Sequence, residues 1–65
     1  MINGTQRQLL KKAANEFFEL AHEDANRHYE NRLIGIKKTL AILGEDDLVN
    51  YISDLLNQLT QNREP

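Results

Sequence analysis

The sequence predicts an all-α fold in which a long helix is followed by a shorter antiparallel helix, and three observations support this. The one proline, Pro65, is the last residue, so no proline interrupts the preceding chain. Apolar residues recur at steps of three or four, which is the period of a helix. No stretch shows the apolar–polar alternation or the β-branched clustering that is typical of a strand.

The first helix is predicted over about residues 5–43. Thr5 and Gln8 have the spacing of a capping box, in which each side chain bonds the other residue's backbone amide. Apolar positions then follow one another at helical steps through the whole segment: Leu10, Ala14, Phe17, Ala21, Ala25, Tyr29, Leu33, Ile36, Leu40 and Leu43. The alternative is a chain that bends or breaks between about residues 22 and 31. The continuous helix is favoured because helix breaks usually need a glycine or proline, and that polar segment has neither.

A turn at residues 44–45 and a second helix over about residues 46–61 complete the predicted fold. Gly44 is expected to end the first helix in a left-handed conformation. Glu45, Asp46 and Asp47 place negative charge where the next helix dipole favours it. This explanation of the three acidic residues is preferred to a docking patch for a basic partner. The apolar face of the second helix is predicted to be Leu48, Ile52, Leu55 and Leu59, and residues 62–65 are expected to fray.

Gly35 lies inside the predicted first helix. Glycine costs about 1 kcal/mol relative to alanine in a helix interior. We therefore expect a close contact between Gly35 and the second helix, with a hinge as the alternative role.

A second copy of the chain is predicted to complete the hydrophobic core. A chain of 65 residues without cysteine has a marginal core and no disulfides to support it. The second helix reaches only about 24 Å, so it leaves the N-terminal half of a continuous first helix uncovered. Two such hairpins would form a four-helix bundle, while the alternative is a compact three-helix monomer. The predicted interface residues are Leu9, Leu10, Ala13, Ala14, Phe17, Phe18, Leu20, Ala21 and His28.

His28 is expected to lie at the edge of this interface, partly exposed to solvent. The alternative hypothesis is that His28 forms a pH-sensitive contact between the two copies, since histidine titrates near neutrality.

The predicted function is that of a non-enzymatic protein–protein interaction or regulatory protein, acting as a homodimer on an unidentified protein partner. Ser53 is the only serine, cysteine is absent, and no glycine-rich phosphate loop occurs, so neither catalytic residues nor a cofactor are predicted. The net charge of −2 argues against nucleic acid as a partner. No apolar run has the length of a membrane span, and the N-terminal residues lack a signal pattern, so a cytoplasmic location is expected.

Two alternative functions stay open at this level. Glu19 and His22 have the Glu-x-x-His spacing by which helical bundles bind metal ions, with Glu16 or Glu23 as further ligands. Glu19 points away from the Leu10–Phe17 stripe on an ideal helix, so a solvated surface is favoured over a metal site. The other alternative is a nucleic-acid-binding regulator whose dimer pairs basic clusters across its symmetry axis.

Overall fold

The part of the chain that the structure describes folds into an elongated bundle of three helices. The computed structural model describes residues 2–23 and 27–63. Its helices are α1 (Gly4–Glu23), α2 (His28–Ile42) and α3 (Asp46–Arg63), and the described residues contain no strand. The bundle measures 39 × 16 × 15 Å. The predicted all-α class is therefore confirmed, and the three-helix alternative fits the structure.

The continuous helix over residues 5–43 is wrong, because α1 ends at Glu23 and α2 begins at His28. Arg27 precedes α2 in a left-handed conformation, with φ 60° and ψ 22°, which a right-handed helix cannot contain. An arginine thus adopts the conformation that glycine adopts most easily. The lack of glycine in this segment therefore did not exclude a helix break. Residues 24–26, including Ala25 of the predicted apolar line, lie outside the described residues.

The N-terminus of α1 is capped two residues earlier than the sequence analysis predicted. Asn3 accepts a hydrogen bond from the backbone amide of Gln6 at 2.8 Å, and the Gln6 side chain accepts one from the amide of Asn3 at 3.0 Å. This is the reciprocal pattern of a capping box. Asn3 and Gln6 therefore take the roles that were predicted for Thr5 and Gln8, and α1 begins at Gly4.

Gly44 ends α2 as predicted. Its φ is 78°, and its amide bonds the carbonyl of Ala41 at 3.2 Å, while the amide of Glu45 bonds that of Leu40 at 3.0 Å. These two bonds make a Schellman motif, which satisfies carbonyl groups at the helix end. The helix α3 then begins at Asp46 and extends to Arg63, beyond its predicted end at about residue 61.

The core lies along the line where the three helices meet. Phe17 stacks on Tyr29 with ring centroids 5.9 Å apart, and Leu10 lies beside Leu40 near the other end, so α1 and α2 are antiparallel. All four residues of the predicted apolar face of α3 are buried. The buried apolar residues are Ala14, Ala21, Leu33, Leu40, Leu48, Ile52, Leu55 and Leu59.

Gly35 does not make the close contact that was predicted for it. A Cβ atom built on Gly35 would meet nothing within 4 Å, and the residue is exposed in the middle of α2. The packing of α2 against α3 therefore does not require a glycine at this position.

Candidate interaction surface

An open apolar groove of about 540 Å³ runs between α1 and α2 on the side away from α3. Leu10 and Phe17 line it from α1, and Ile36 and Leu40 line it from α2. We call this surface the α1/α2 groove, and its full lining is Ile2, Leu10, Phe17, Arg32, Gly35, Ile36, Thr39, Leu40 and Leu43. Most of these side chains are apolar, so the groove can accept apolar side chains of another helix.

Contacts with α3 determine which side of α1 faces the groove. Tyr51 of α3 donates a hydrogen bond to the Oδ1 of Asn15 at 2.8 Å, and the Nζ of Lys11 lies 5.4 Å from the centre of the Tyr51 ring. Lys11 and Asn15 lie on one flank of the Leu10–Phe17 line. The other flank of α1 is therefore the one that borders the groove.

Large apolar side chains stay exposed on the flanks of α1 and α2 beside the groove, and of these only Leu43 belongs to its described lining. Leu9 is 59% exposed and Leu20 is 44% exposed on α1. Ile42 at the end of α2 is 86% exposed, and the adjacent Leu43 is 49% exposed. Isolated apolar residues at a surface are ordinary, but apolar residues that continue an apolar groove form a patch of the kind found at interfaces.

The eight predicted interface residues of α1 divide into an exposed group, a half-buried group and a buried group. Leu9 and Leu20 are exposed; Leu10, Phe17 and Phe18 pack partly against the core. Ala13 is half-buried. Ala14 and Ala21 are 1% and 3% exposed, so the helices of the chain itself cover them. The premise that the N-terminal half has no cover within the chain is therefore wrong, since α1 packs on both α2 and α3.

His28 is exposed at the first position of α2. Its Nε2 accepts a hydrogen bond from the Nε of Arg32 at 3.1 Å, and its ring meets that of Tyr29 edge-on at 5.2 Å. His28 thus orients Arg32, whose side chain lines the groove.

The acidic turn before α3 is bound by the chain's own N-terminal segment. Glu45 is 6% exposed and accepts hydrogen bonds from Arg7 Nη2 at 2.7 Å and from the backbone amide of Ile2 at 3.2 Å. The other terminal nitrogen of Arg7, Nη1, donates a hydrogen bond to Asp47. The hydrogen bond from Arg7, followed by that from Ile2, holds the pKa of Glu45 below its usual value. Glu45 and Asp47 therefore accept hydrogen bonds from the chain's own N-terminal segment, a role that was not predicted from the sequence.

The candidate metal ligands Glu19 and His22 are both exposed on α1. His22 packs edge-on against Phe18, with ring centroids 4.5 Å apart. Among the described residues, no group of three or more histidine, cysteine, aspartate or glutamate side chains is placed to hold a metal ion. The metal hypothesis therefore gains no support from the geometry of α1.

The α2 side of the groove was missed by the sequence analysis. Ile36 and Leu43 belong to the predicted apolar line, but a continuous helix placed them far from Leu10 and Phe17. Arg32 and Thr39 gave no signal, because polar residues beside an apolar stripe are ordinary on any amphipathic helix. Ile42 could have indicated a second apolar surface on this segment, since it lies between Ala41 and Leu43 in an apolar run that is wider than one helix face.

Comparisons with known proteins found no relative of this chain. No protein-family model matches it, and no match was found among the curated proteins or the solved structures. Within the part of the chain that the structure describes, no helix combines the length and the hydropathy that a membrane crossing needs.

Proposed function

We propose that this protein is a non-enzymatic protein–protein interaction protein that binds an amphipathic helix in the α1/α2 groove. The observation that carries the proposal is the groove itself, which is open, apolar and about 540 Å³ in volume. A helix that lies between two others buries its apolar face in this way and converts a three-helix bundle into a four-helix arrangement.

The size and chemistry of the groove suit a helix better than a small substrate. Enzymes need polar groups that converge on a reacting atom, whereas Arg32 and Thr39 are the only polar side chains among the described residues that line the groove. The exposed Leu9, Leu20 and Ile42 extend the apolar surface beyond the groove along the length of the bundle. A partner of helical length would cover them, and a small molecule would not.

The proposal is tested with fluorescent amphipathic helical peptides that carry leucine at helical spacing. Their binding is measured by anisotropy against the natural chain, Gly35→Glu and Asn57→Glu. Gly35→Glu adds a charge at the wall of the groove, where open space accepts the side chain without strain. Asn57→Glu adds the same charge at an exposed position of α3.

We expect peptides to bind the natural chain and Asn57→Glu equally, and to bind Gly35→Glu at least about tenfold more weakly. Equal binding to both variants would place the interaction outside the groove. No binding by any peptide of the panel, at a concentration at which the natural chain is monomeric, would remove the proposed function.

A further inference from the structure

We propose that the α1/α2 groove is covered by a second copy of this chain, arranged so that α1 of each copy packs against α2 of the other. This inference rests on the proposed function, because it names the partner of the same groove. Three features carry it: the charge of the α1 edge, the opposite charge of the α2 edge, and a glycine that the chain's own packing leaves unexplained.

The edge of α1 beside the groove is apolar and acidic. Its residues follow one another at steps of three and four, so they form one strip along the helix: Leu9, Ala13, Glu16, Leu20 and Glu23. This strip lies on the flank opposite Lys11 and Asn15, which contact Tyr51 of α3. Its two charged residues are both glutamates, and both are exposed.

The edge of α2 beside the groove carries one positive charge, that of Arg32. The same spacing gives a strip that consists of His28, Arg32, Gly35, Thr39 and Ile42. Arg32, Gly35 and Thr39 line the groove, which places this strip at its border. Arg32 is exposed and is oriented by its hydrogen bond to His28. The α1 edge therefore carries the carboxylates of Glu16 and Glu23, and the α2 edge carries the guanidinium of Arg32.

A twofold axis parallel to the long axis of the bundle brings these two edges together. Because such an axis leaves each residue at its own height, α1 meets the partner's α2 in the same register that relates α1 and α2 within one chain. Glu16 then stands within about one helical turn of the partner's Arg32. Leu9 lies at the same end of the bundle as the partner's Ile42, so exposed apolar residues also meet.

The other face-to-face arrangement places a twofold axis across the bundle and sets α1 against the partner's α1. With the axis at the height that these two residues share, Glu16 would lie near the partner's Glu16, and Arg32 near the partner's Arg32. Like charges that face each other across an interface oppose association. The charges of the two edges therefore select the arrangement that pairs α1 with α2.

Gly35 has a role in the selected arrangement that it lacks within one chain. Glycine weakens a helix interior, and no atom of the described residues lies close enough to require it here. Across the proposed interface, the partner's Ala13 comes opposite Gly35. Two small residues at that point let the two helices approach closely.

The test uses charge reversal at the proposed pair, with self-association measured by sedimentation equilibrium. The natural chain should sediment at twice the 7.5 kDa mass of one copy as its concentration rises. Glu16→Arg and Arg32→Glu should each weaken the dimer about tenfold, since each reverses two symmetric ion pairs. Glu19→Arg makes the same charge change on the outer side of α1 and should leave the dimer unchanged.

Two further samples test the arrangement. The double variant Glu16→Arg/Arg32→Glu should recover the natural affinity, and an equimolar mixture of the two single variants should form dimers with one copy of each. A double variant as weak as the singles, or Glu16→Arg no weaker than Glu19→Arg, would overturn the arrangement.

A natural chain that stays monomeric at every concentration would overturn the second copy as the partner. The helical peptides described above separate that failure from failure of the groove itself. A monomeric chain that binds them, and loses them with Gly35→Glu, keeps the proposed function with a different protein as its partner.

Discussion

Arg7 and Glu45 form an ion pair that joins the first turn of α1 to the start of α3, with 2.7 Å between Nη2 and Oε2. The same guanidinium bonds Asp47 through its other terminal nitrogen. Since Glu45 is buried, its carboxylate depends on these donors and on the amide of Ile2 for the hydrogen bonds that water would otherwise supply.

Replacing Arg7 should therefore loosen the N-terminal end of the bundle. Arg7→Met keeps much of the side-chain length and removes both ion pairs, so we expect the Tm to fall by several degrees. Lys38→Met, which removes one positive charge at an exposed position of α2, is the matched control for net charge. Thermal unfolding followed by circular dichroism measures both variants. Equal Tm values would show that the Arg7 ion pairs contribute nothing.

The same ion pair should make the stability depend on pH. Because the pKa of Glu45 is lowered in the folded chain, its contribution is fully present above the ordinary glutamate pKa of about 4.5. The contribution is lost as the pH falls through the lower pKa of the folded state. Urea unfolding at a series of pH values should show a smaller loss of stability in this acid range for Arg7→Met than for the natural chain. Parallel pH profiles would contradict the assignment.

Arg27 should be replaceable by glycine with a gain in stability. A left-handed conformation costs a non-glycine residue about 1–2 kcal/mol, and glycine adopts it freely but loses about 0.5–1 kcal/mol of entropy in return. Arg27→Gly should therefore raise the free energy of unfolding by up to about 1 kcal/mol. Lys38→Gly, on the exposed side of α2, should lower it by about 1 kcal/mol. A loss of stability in Arg27→Gly would contradict the left-handed conformation.

Gly44 and Gly35 form a matched pair for substitution by alanine. Neither has an atom within 4 Å of a built Cβ, so the two differ only in backbone conformation. Gly44→Ala should destabilise the chain by about 1 kcal/mol, because φ 78° strains alanine. Gly35→Ala should stabilise it by about 0.5–1 kcal/mol in urea unfolding of the monomeric chain. The same Gly35→Ala change should weaken self-association, because the proposed interface places Gly35 opposite the partner's Ala13. Unfolding of the monomeric chain does not measure this effect.

Leu33 is the most deeply buried large side chain of α2, with 0% exposure. Leu33→Ala should lower the free energy of unfolding by about 2–5 kcal/mol, since it removes apolar contacts and leaves a cavity. Leu9→Ala, at a position that is 59% exposed, should change it by less than about 0.5 kcal/mol in the monomeric chain. Similar losses in both variants would show that Leu33 is not part of a packed core.

The sequence predicts the helical class and the buried face of each segment because both depend on local spacing. Leu48, Ile52, Leu55 and Leu59 are buried as their spacing predicted. Gly44 adopts the left-handed conformation that its position indicated. The cap of α1 was misplaced because Asn3 and Gln6 have the same spacing as Thr5 and Gln8, and local sequence does not rank two overlapping capping boxes.

The break between α1 and α2 was decided by the tertiary structure. The apolar line from Leu10 to Leu43 is the same stripe in one long helix and in two helices that fold back on each other. Folding back costs about 1–2 kcal/mol for the left-handed Arg27. It lets Leu10 and Phe17 pack partly against α2, and complete burial of a large apolar side chain contributes about 1.5–3 kcal/mol. The packing of distant residues therefore exceeds the local preference for a continuous helix.

The candidate site depends on that same packing. The α1/α2 groove brings Leu10 beside Ile36, residues that a continuous helix would separate by about 39 Å. The sequence alone identified apolar residues in excess of what one helix face needs, including Leu9 and Leu20. Only the antiparallel placement of α1 and α2 determined that these residues border a groove. A groove needs the surfaces of two helices, whereas the local spacing of apolar residues describes the surface of a single helix.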